Sequence, residues 1–128
     1  MDVISNMIIQ IKNAGNAGLV EVRIPYSKFK HAVLDVLKKE GFVKKVETGT
    51  SKGKKTLEVE LFVENRVPRI KGVERISKPS RRVYRSSSEI RPVKNGYGAL
   101  LVSTSKGVMS GREAKKAGLG GEALFAIW

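Results

Sequence analysis

The spacing of apolar residues switches repeatedly between a helical and a strand period along the first half of this chain, and that alternation limits the possible folds more than any other feature. Ile4, Met7, Ile8 and Ile11 recur at helical spacing after a cap candidate at Asp2, and the pattern stops at Gly15. Val20, Val22 and Ile24 then alternate with Glu21 and Arg23 up to Pro25, the period of a half-buried strand. A second helix is predicted from the N-cap candidate Ser27, with Phe29, Val33, Val36 and Leu37 on one face and Gly41 just past its end. Residues 42–47 and 56–63 read as strands joined as a hairpin through the loop 49–55. The order is therefore α-β-α-β-β, and its strand-helix-strand unit calls for a right-handed crossover.

The period is lost across 64–72, which holds Pro68 and Gly72, so a boundary is expected there. Residues 1–65 form one expected α/β domain, 66–72 a linker, and 73–128 a β-rich domain with short strands at 73–77, 82–85, 99–104 and 123–128. One helix interrupts those strands, at about 110–117. Its start is marked by Ser110 and Glu113 at the spacing of a capping box, and its stop by Gly118. The fold class expected is α+β, as two small domains in contact.

Charge says what such a chain meets. Among 128 residues, 25 Lys and Arg face 12 Asp and Glu, for a net charge of +13. That excess points to a polyanionic partner, while 41% hydrophobic residues argue for a folded core rather than a basic tail. Residues 1–70 carry 13 basic and 8 acidic side chains and residues 71–128 carry 12 and 4, so the shorter half is the more positive and the better candidate for the main binding surface. The chain has no cysteine, which removes disulfides, zinc knuckles and thiol nucleophiles together. Its first residues lack the basic region and cleavage site of a leader, and no apolar run approaches the ~20 residues of a membrane span, so a cytoplasmic protein without a membrane partner is expected.

Side chains suited to reading a polar ligand collect around the last helix. Ser103, Thr104, Ser105, Lys106 and Gly107 precede it, and Gly118, Gly120, Gly121 and Glu122 follow it. Hydroxyls both donate and accept, which suits ribose 2′-OH groups and base edges, and Lys106 suits a phosphate. Gly120 and Gly121 would let an RNA backbone come close, with Glu122 accepting from a base amino group or from a neighbouring hydroxyl such as that of Ser105. The plain alternatives are a polar turn at a strand end and a helix cap followed by a turn. The glycine cluster at 118–121 lacks the order of a nucleotide-binding loop and follows a helix instead of opening one, and 49–54 lacks the spacing and hydroxyl of a phosphate loop, so neither a cofactor nor a small-molecule substrate is expected.

Two further places fit an RNA. Lys28 and Lys30 occupy the first turn of the second helix, where the macrodipole disfavours cations, so with Ser27 they suggest a phosphate site. Arg81, Arg82, Tyr84 and Arg85 set an aromatic among cations on a strand, where Tyr84 can stack on an unpaired base while its neighbours hold phosphates. Alternation sets Val83 and Arg85 against Arg82 and Tyr84, so one of the two sets can instead face a core. His31 is the only histidine and has no nucleophile or metal-binding companion in sequence, which argues against an enzyme.

Taken together, 103–109, Arg112-Glu113-Ala114, Lys116-Ala117-Gly118 and Gly120-Gly121-Glu122 resemble the C-terminal signature of the bacterial S-eight family of small-ribosomal-subunit proteins. Ile4, Met7, Ile11 and Lys12-Asn13-Ala14 resemble its first helix. Pro25, Ser27-Lys28, Lys30 and 38–42 resemble its second, and 76–79 with Arg82-Val83-Tyr84 its middle segment. The resemblance implies a structural rRNA-binding protein that recognises an irregular helix in the central domain of small-subunit rRNA, assists assembly, touches neighbouring ribosomal proteins and, in some bacteria, represses its own operon mRNA. It carries RNA contacts onto 103–107, 120–122 and Tyr84, and more weakly onto Asn13, Ser27, Lys28 and Lys30. Departures from the family pattern are Ser80 in place of Gly, Gln10 in place of a basic residue, Ser110-Gly111 in place of Thr-Asp, and Phe125 in place of Cys. Charge alone also suits a nonspecific nucleic-acid-binding protein or RNA chaperone.

Overall fold

The computed structural model describes residues 3–64 and 67–128. It is an α+β protein whose contacts divide into two compact units that meet in sequence between Lys71 and Gly72.

The first unit runs α1 (Val3–Asn16), β1 (Glu21–Pro25), α2 (Lys28–Lys39), β2 (Val43–Ser51), β3 (Lys54–Leu61), and a two-stranded ribbon of β4 (Val63–Glu64) and β5 (Val67–Pro68). The cap expected at Asp2 lies outside the described residues. Ile4, Met7, Ile8 and Ile11 are all buried, as the helical spacing of α1 requires. Ser27 caps α2 by accepting from the Lys30 amide at 3.1 Å. Gly41, at φ +83°, ends the same helix: its amide reaches the Lys38 carbonyl and the Phe42 amide reaches that of Leu37, which turns the chain sharply and buries Phe42 against the end of the helix. The buried stripe of α2 is Val33, Leu34, Val36 and Leu37; Phe29 shares that face but stands a turn ahead of it, 42% exposed.

β3 lies between β1 and β2 and is antiparallel to both, so β1 and β2 run parallel with a strand inserted between them. Leu57 and Val59 are fully buried, and Arg23 faces Glu58 across the solvent side of the sheet at 3.3 Å. The seven-residue loop expected at 49–55 is a two-residue tip. Lys52 at φ +52° and Gly53 at φ +77° give the two left-handed positions of a type I′ turn, whose twist matches the strands and lets them pair up to Ser51 and Lys54.

The second unit holds β6 (Val73–Arg75), β7 (Tyr84–Arg85), single-turn 3₁₀ segments at Ser87–Glu89 and Lys94–Gly96, β8 (Ala99–Thr104), β9 (Gly107–Ser110), α3 (Gly111–Lys116) and β10 (Gly121–Ile127). β10 is central. It pairs with β8 along one edge and shares its other edge between β6 and β7. The changeover coincides with a bulge: Ala123 faces Val102 and Phe125 faces Leu101, leaving Leu124 as the extra residue. The Leu124 carbonyl accepts from the amides of Ile76 and Ser77 at 3.2 and 3.3 Å and from the Arg75 guanidinium, so the chain leaving β6 is tied down at the bulge.

α3 packs on the sheet face that carries Leu100, Val102 and Ala123, with Ile90 and Ala114 completing the cluster. Ser110 caps it by accepting from the Glu113 amide at 3.2 Å, and Gly118 ends it at φ +70° by the arrangement seen in α2. The Glu113 carboxylate accepts from the Ser110 hydroxyl at 3.3 Å. Sequence spacing places strands at 82–85 and 123–128 and none at 107–110. The chain instead pairs at 84–85, 121–127 and 107–110, because backbone partners, not side-chain alternation, decide the short polar strands. Among the described residues, no helix is long and apolar enough to cross a membrane.

Candidate nucleic-acid interface

The hydroxyl-rich segment 103–107 is the end of a hairpin. Ser103 and Thr104 belong to β8 and Gly107 opens β9, so the tip is Ser105-Lys106, both exposed. Thr104 shapes it, since its hydroxyl donates to the Gly107 carbonyl at 2.8 Å and accepts from the Lys106 amide at 3.1 Å. With the Thr104 hydroxyl engaged inside the turn, the Ser105 hydroxyl and the Lys106 ammonium are the groups offered outward.

Strand register continues the surface from the tip. Ser103 faces Glu122 and Glu122 faces Tyr84, so the three side chains form a row across β8, β10 and β7 on the face away from α3. Tyr84 is 67% exposed, which leaves its ring open to a stacking partner. The two glycines before Glu122 have an internal reason. A Cβ on Gly121 would stand 2.1 Å from the Ser103 carbonyl oxygen, and one on Gly120 would stand 2.6 Å from that of Arg85. Close approach of the neighbouring strands is by itself enough to exclude a side chain at both positions.

Glu122 answers to a hydroxyl that sequence reasoning passed over. Its carboxylate accepts from the buried Ser77 hydroxyl and from Arg82 at 3.0 Å, and Ser105 is not involved. The Ser77 oxygen in turn accepts from the Val83 amide at 3.2 Å, and the Val83 carbonyl accepts from the Ala123 amide at 2.9 Å. This chain of bonds fixes 82–84 against β10 and so sets where Tyr84 points. Burial pushes the Glu122 carboxyl up, but the Ser77 and Arg82 hydrogen bonds, with the charges of Arg82 and Arg75, outweigh it and hold the group below the ordinary carboxylate range. The signal for Ser77 was only a hydroxyl in an expected strand, with nothing to distinguish it from a solvent-facing one.

Arg82 and Arg85 part company as the alternation allows. Arg82 joins Glu122, whereas Arg85 and Arg81 line an open groove with Val83. Arg81 also closes a tight turn, exchanging two backbone hydrogen bonds with Lys78 at 2.9 and 3.0 Å around Pro79 and Ser80. Ser80 has no left-handed backbone, so the serine is accommodated without strain.

The remaining candidates sit in the first unit. Lys28 is exposed at the start of α2 and Lys30 is half-buried, while the Ser27 hydroxyl is engaged as the cap. Lys55 lies 4.1 Å from the centre of the Tyr26 ring, adding a cation close to that helix start, because the Tyr26 amide bonds the Lys55 carbonyl. Asn13 is exposed on α1. His31 pairs with Asp35 one turn on, at 3.6 Å, and meets the Tyr26 ring edge-on. Among the described residues, no three His, Cys, Asp or Glu side chains come together as a metal site.

Comparison with known proteins decides the family. The sequence pattern of the family described as Ribosomal protein S8 matches residues 2–128. The chain belongs to that family. It is 43% identical over 126 residues to the small ribosomal subunit protein uS8 of Methylococcus capsulatus, covering 98% of this chain and 96% of that protein. It is 42% identical over 127 residues to the protein of the same name from Mesoplasma florum, with 99% and 98% covered, and 44% identical over 128 residues to that from Leptospira biflexa, with 99% and 97% covered. The S-eight likeness carried by motifs in both halves of the sequence therefore holds over residues 2–128, and it agrees with a structural ribosomal protein rather than one that catalyses a reaction.

Proposed function

We propose that this protein is a non-enzymatic structural constituent of the small ribosomal subunit, working in the cytoplasm where ribosomes do, and that its second unit reads an irregular helix in the central domain of small-subunit rRNA during assembly. The observation that carries the reading is the outward pair Ser105-Lys106 on a braced hairpin, continued across the sheet by Ser103, Glu122 and Tyr84. Such a surface offers a hydroxyl to base edges or 2′-OH groups, a ring to an unstacked base and an ammonium to a phosphate. Glu122 acts within the protein, holding Arg82 and Ser77 and keeping Tyr84 in place. Ser27, Lys28, Lys30 and Asn13 supply backbone contacts that add affinity without sequence information. An operon mRNA that presents the same helical shape is bound by the same surface, which makes the protein a repressor of its own synthesis.

Footprinting on small-subunit rRNA tests the site, with protection expected at one irregular helix of the central domain. Ser105→Ala should narrow the affinity gap between that fragment and random RNA. Protection spread evenly over the rRNA, or equal competition by duplex DNA, would establish the nonspecific binder instead.

A further inference from the structure

A second basic surface of the same unit adjoins the hairpin row. An open groove of about 970 Å³ runs beside β6, the end of β10 and the segment 85–94. Six cationic side chains line it against two carboxylates, Glu74 and Glu89, so its field attracts a polyanion. Of the cations, Arg75 is engaged with the Leu124 carbonyl, whereas Arg81, Arg85 and Arg91 are exposed.

Groove and row meet along β7. Strand alternation turns Tyr84 toward the Ser103–Glu122 row and its neighbour Arg85 into the groove. Among the described residues β7 pairs with β10 alone, so no strand covers its other edge. A polymer resting on the row can cross that edge into the groove without leaving the protein surface.

The lining suits a ribose-phosphate chain. Guanidinium groups fork onto phosphate oxygens and lie flat against unpaired bases, so the three exposed arginines can take either part of a nucleotide. The Trp128 ring is already occupied: it rests against the backbone at Gly72, where a Cβ would stand 2.6 Å from it, and carries the Lys94 ammonium 4.6 Å from its centre. Continuity is what favours RNA among polyanions. A base stacked on Tyr84 is covalently joined to nucleotides that must pass beside β7, which makes their contact with Arg85 effectively intramolecular. An acidic peptide has no such tether. A base free to stack on Tyr84 is also out of a regular duplex, so the chain that crosses β7 is unpaired.

We propose that the groove holds single-stranded RNA leaving the irregular helix, with Arg81, Arg85, Arg91 and Lys94 meeting its phosphates and unpaired bases. The row reads the helix and the groove grips its flank. This rests on the hairpin row's being an RNA surface.

Two RNAs test it: the irregular-helix fragment of small-subunit rRNA trimmed to the footprint, and the same fragment with the unpaired nucleotides that adjoin it. Trp128, the chain's single tryptophan, lines the groove and reports on it. Its emission should change when the flanked RNA binds and stay constant with the trimmed one. Arg91→Gln/Lys94→Gln alters two exposed side chains and should leave the affinity for the trimmed RNA at the wild-type level. The same variant should bind the flanked RNA about tenfold more weakly, with a salt slope shallower by roughly 0.7 for each phosphate released. Wild-type affinity of the double variant for the flanked RNA, or an equal emission change with both RNAs, would overturn the proposal. So would a polyglutamate peptide that displaces the flank as well as oligouridylate does, which would assign the groove to an acidic protein segment. Failure of the row looks different, as trimmed RNA bound no better than random RNA and Ser105→Ala without effect, and it takes the groove with it.

Discussion

A carboxylate next to a surface that meets phosphates repels its ligand unless its charge is taken up by the protein. Glu122 meets that condition through Ser77 and Arg82, and Ser77 is the pivot because its single oxygen both donates to the carboxylate and accepts from the Val83 amide. Ser77→Ala leaves the part-buried Val83 amide without its acceptor and removes one of the two donors to the Glu122 carboxylate, so stability should fall by about 1–3 kcal/mol in chemical denaturation, and RNA affinity should fall with it as Tyr84 loses its setting. Affinity at the wild-type level with stability reduced would show that Tyr84 is placed by β-pairing alone. The pH dependence follows from the same bonds. The Glu122 carboxyl titrates lower in the folded protein than the ordinary 4.5. Its contribution is therefore complete above the unfolded value and disappears as pH falls through the folded one. The difference in melting temperature between wild type and Glu122→Gln should be constant near neutral pH and shrink on acidification below about 4.5. A difference that grew on acidification would reverse the assigned direction of the shift.

Elements differ in how plainly they are written into the chain. α2 is legible from a 3.6-residue apolar period, a capping serine and a glycine stop, and α3 from its capping serine and glycine stop, signals that need no distant partner. α1 is legible from its period alone, since the stop expected at Gly15 falls inside the helix and Gly18, at φ +80°, turns the chain at its end. β3 is legible because Leu57, Val59 and Leu61 alternate with acids. β7, with two residues, and β9, which opens on a glycine, carry no period long enough to detect; they exist because β10 and β8 offer backbone partners. The same limit hid the role of Gly120 and Gly121, whose only sequence property is the lack of a side chain. A strand packed at 2.1 Å from a would-be Cβ cannot relax without moving β8, so Gly121→Ala should cost about 3 kcal/mol. Gly118→Ala meets open space and only the strain of a left-handed backbone, so it should cost about 1 kcal/mol. Measured denaturation midpoints should rank them in that order. Equal losses would mean that the hairpin yields to the new methyl group, and with it the fixed placement of Ser105 and Lys106.

For the whole molecule, a net charge of +13 means that association with RNA is accompanied by release of the RNA's counterions, wherever on the chain the phosphates are met. Each phosphate neutralised adds roughly 0.7–0.9 to the slope of log affinity against log salt, and that slope is blind to base identity. The α2 start and the hairpin tip can thus be separated by what they change. Lys28→Ala/Lys30→Ala removes two cations from a helix start whose capping bond, Ser27 to the Lys30 amide, uses only backbone and serine atoms, so the fold is retained. Binding to the cognate rRNA fragment and to random RNA should weaken together, and both salt slopes should become shallower by roughly 0.7–0.9 for each phosphate that is no longer neutralised. Ser105→Ala removes no charge, so it should leave both slopes alone and alter only the ratio of the two affinities. Titrations at four or five salt concentrations with the two RNAs read out both quantities at once. If the double lysine variant kept the wild-type slope, the start of α2 would not touch RNA, and the second unit, with 11 cations against 4 acids over residues 72–128, would be the better source of the affinity set by charge.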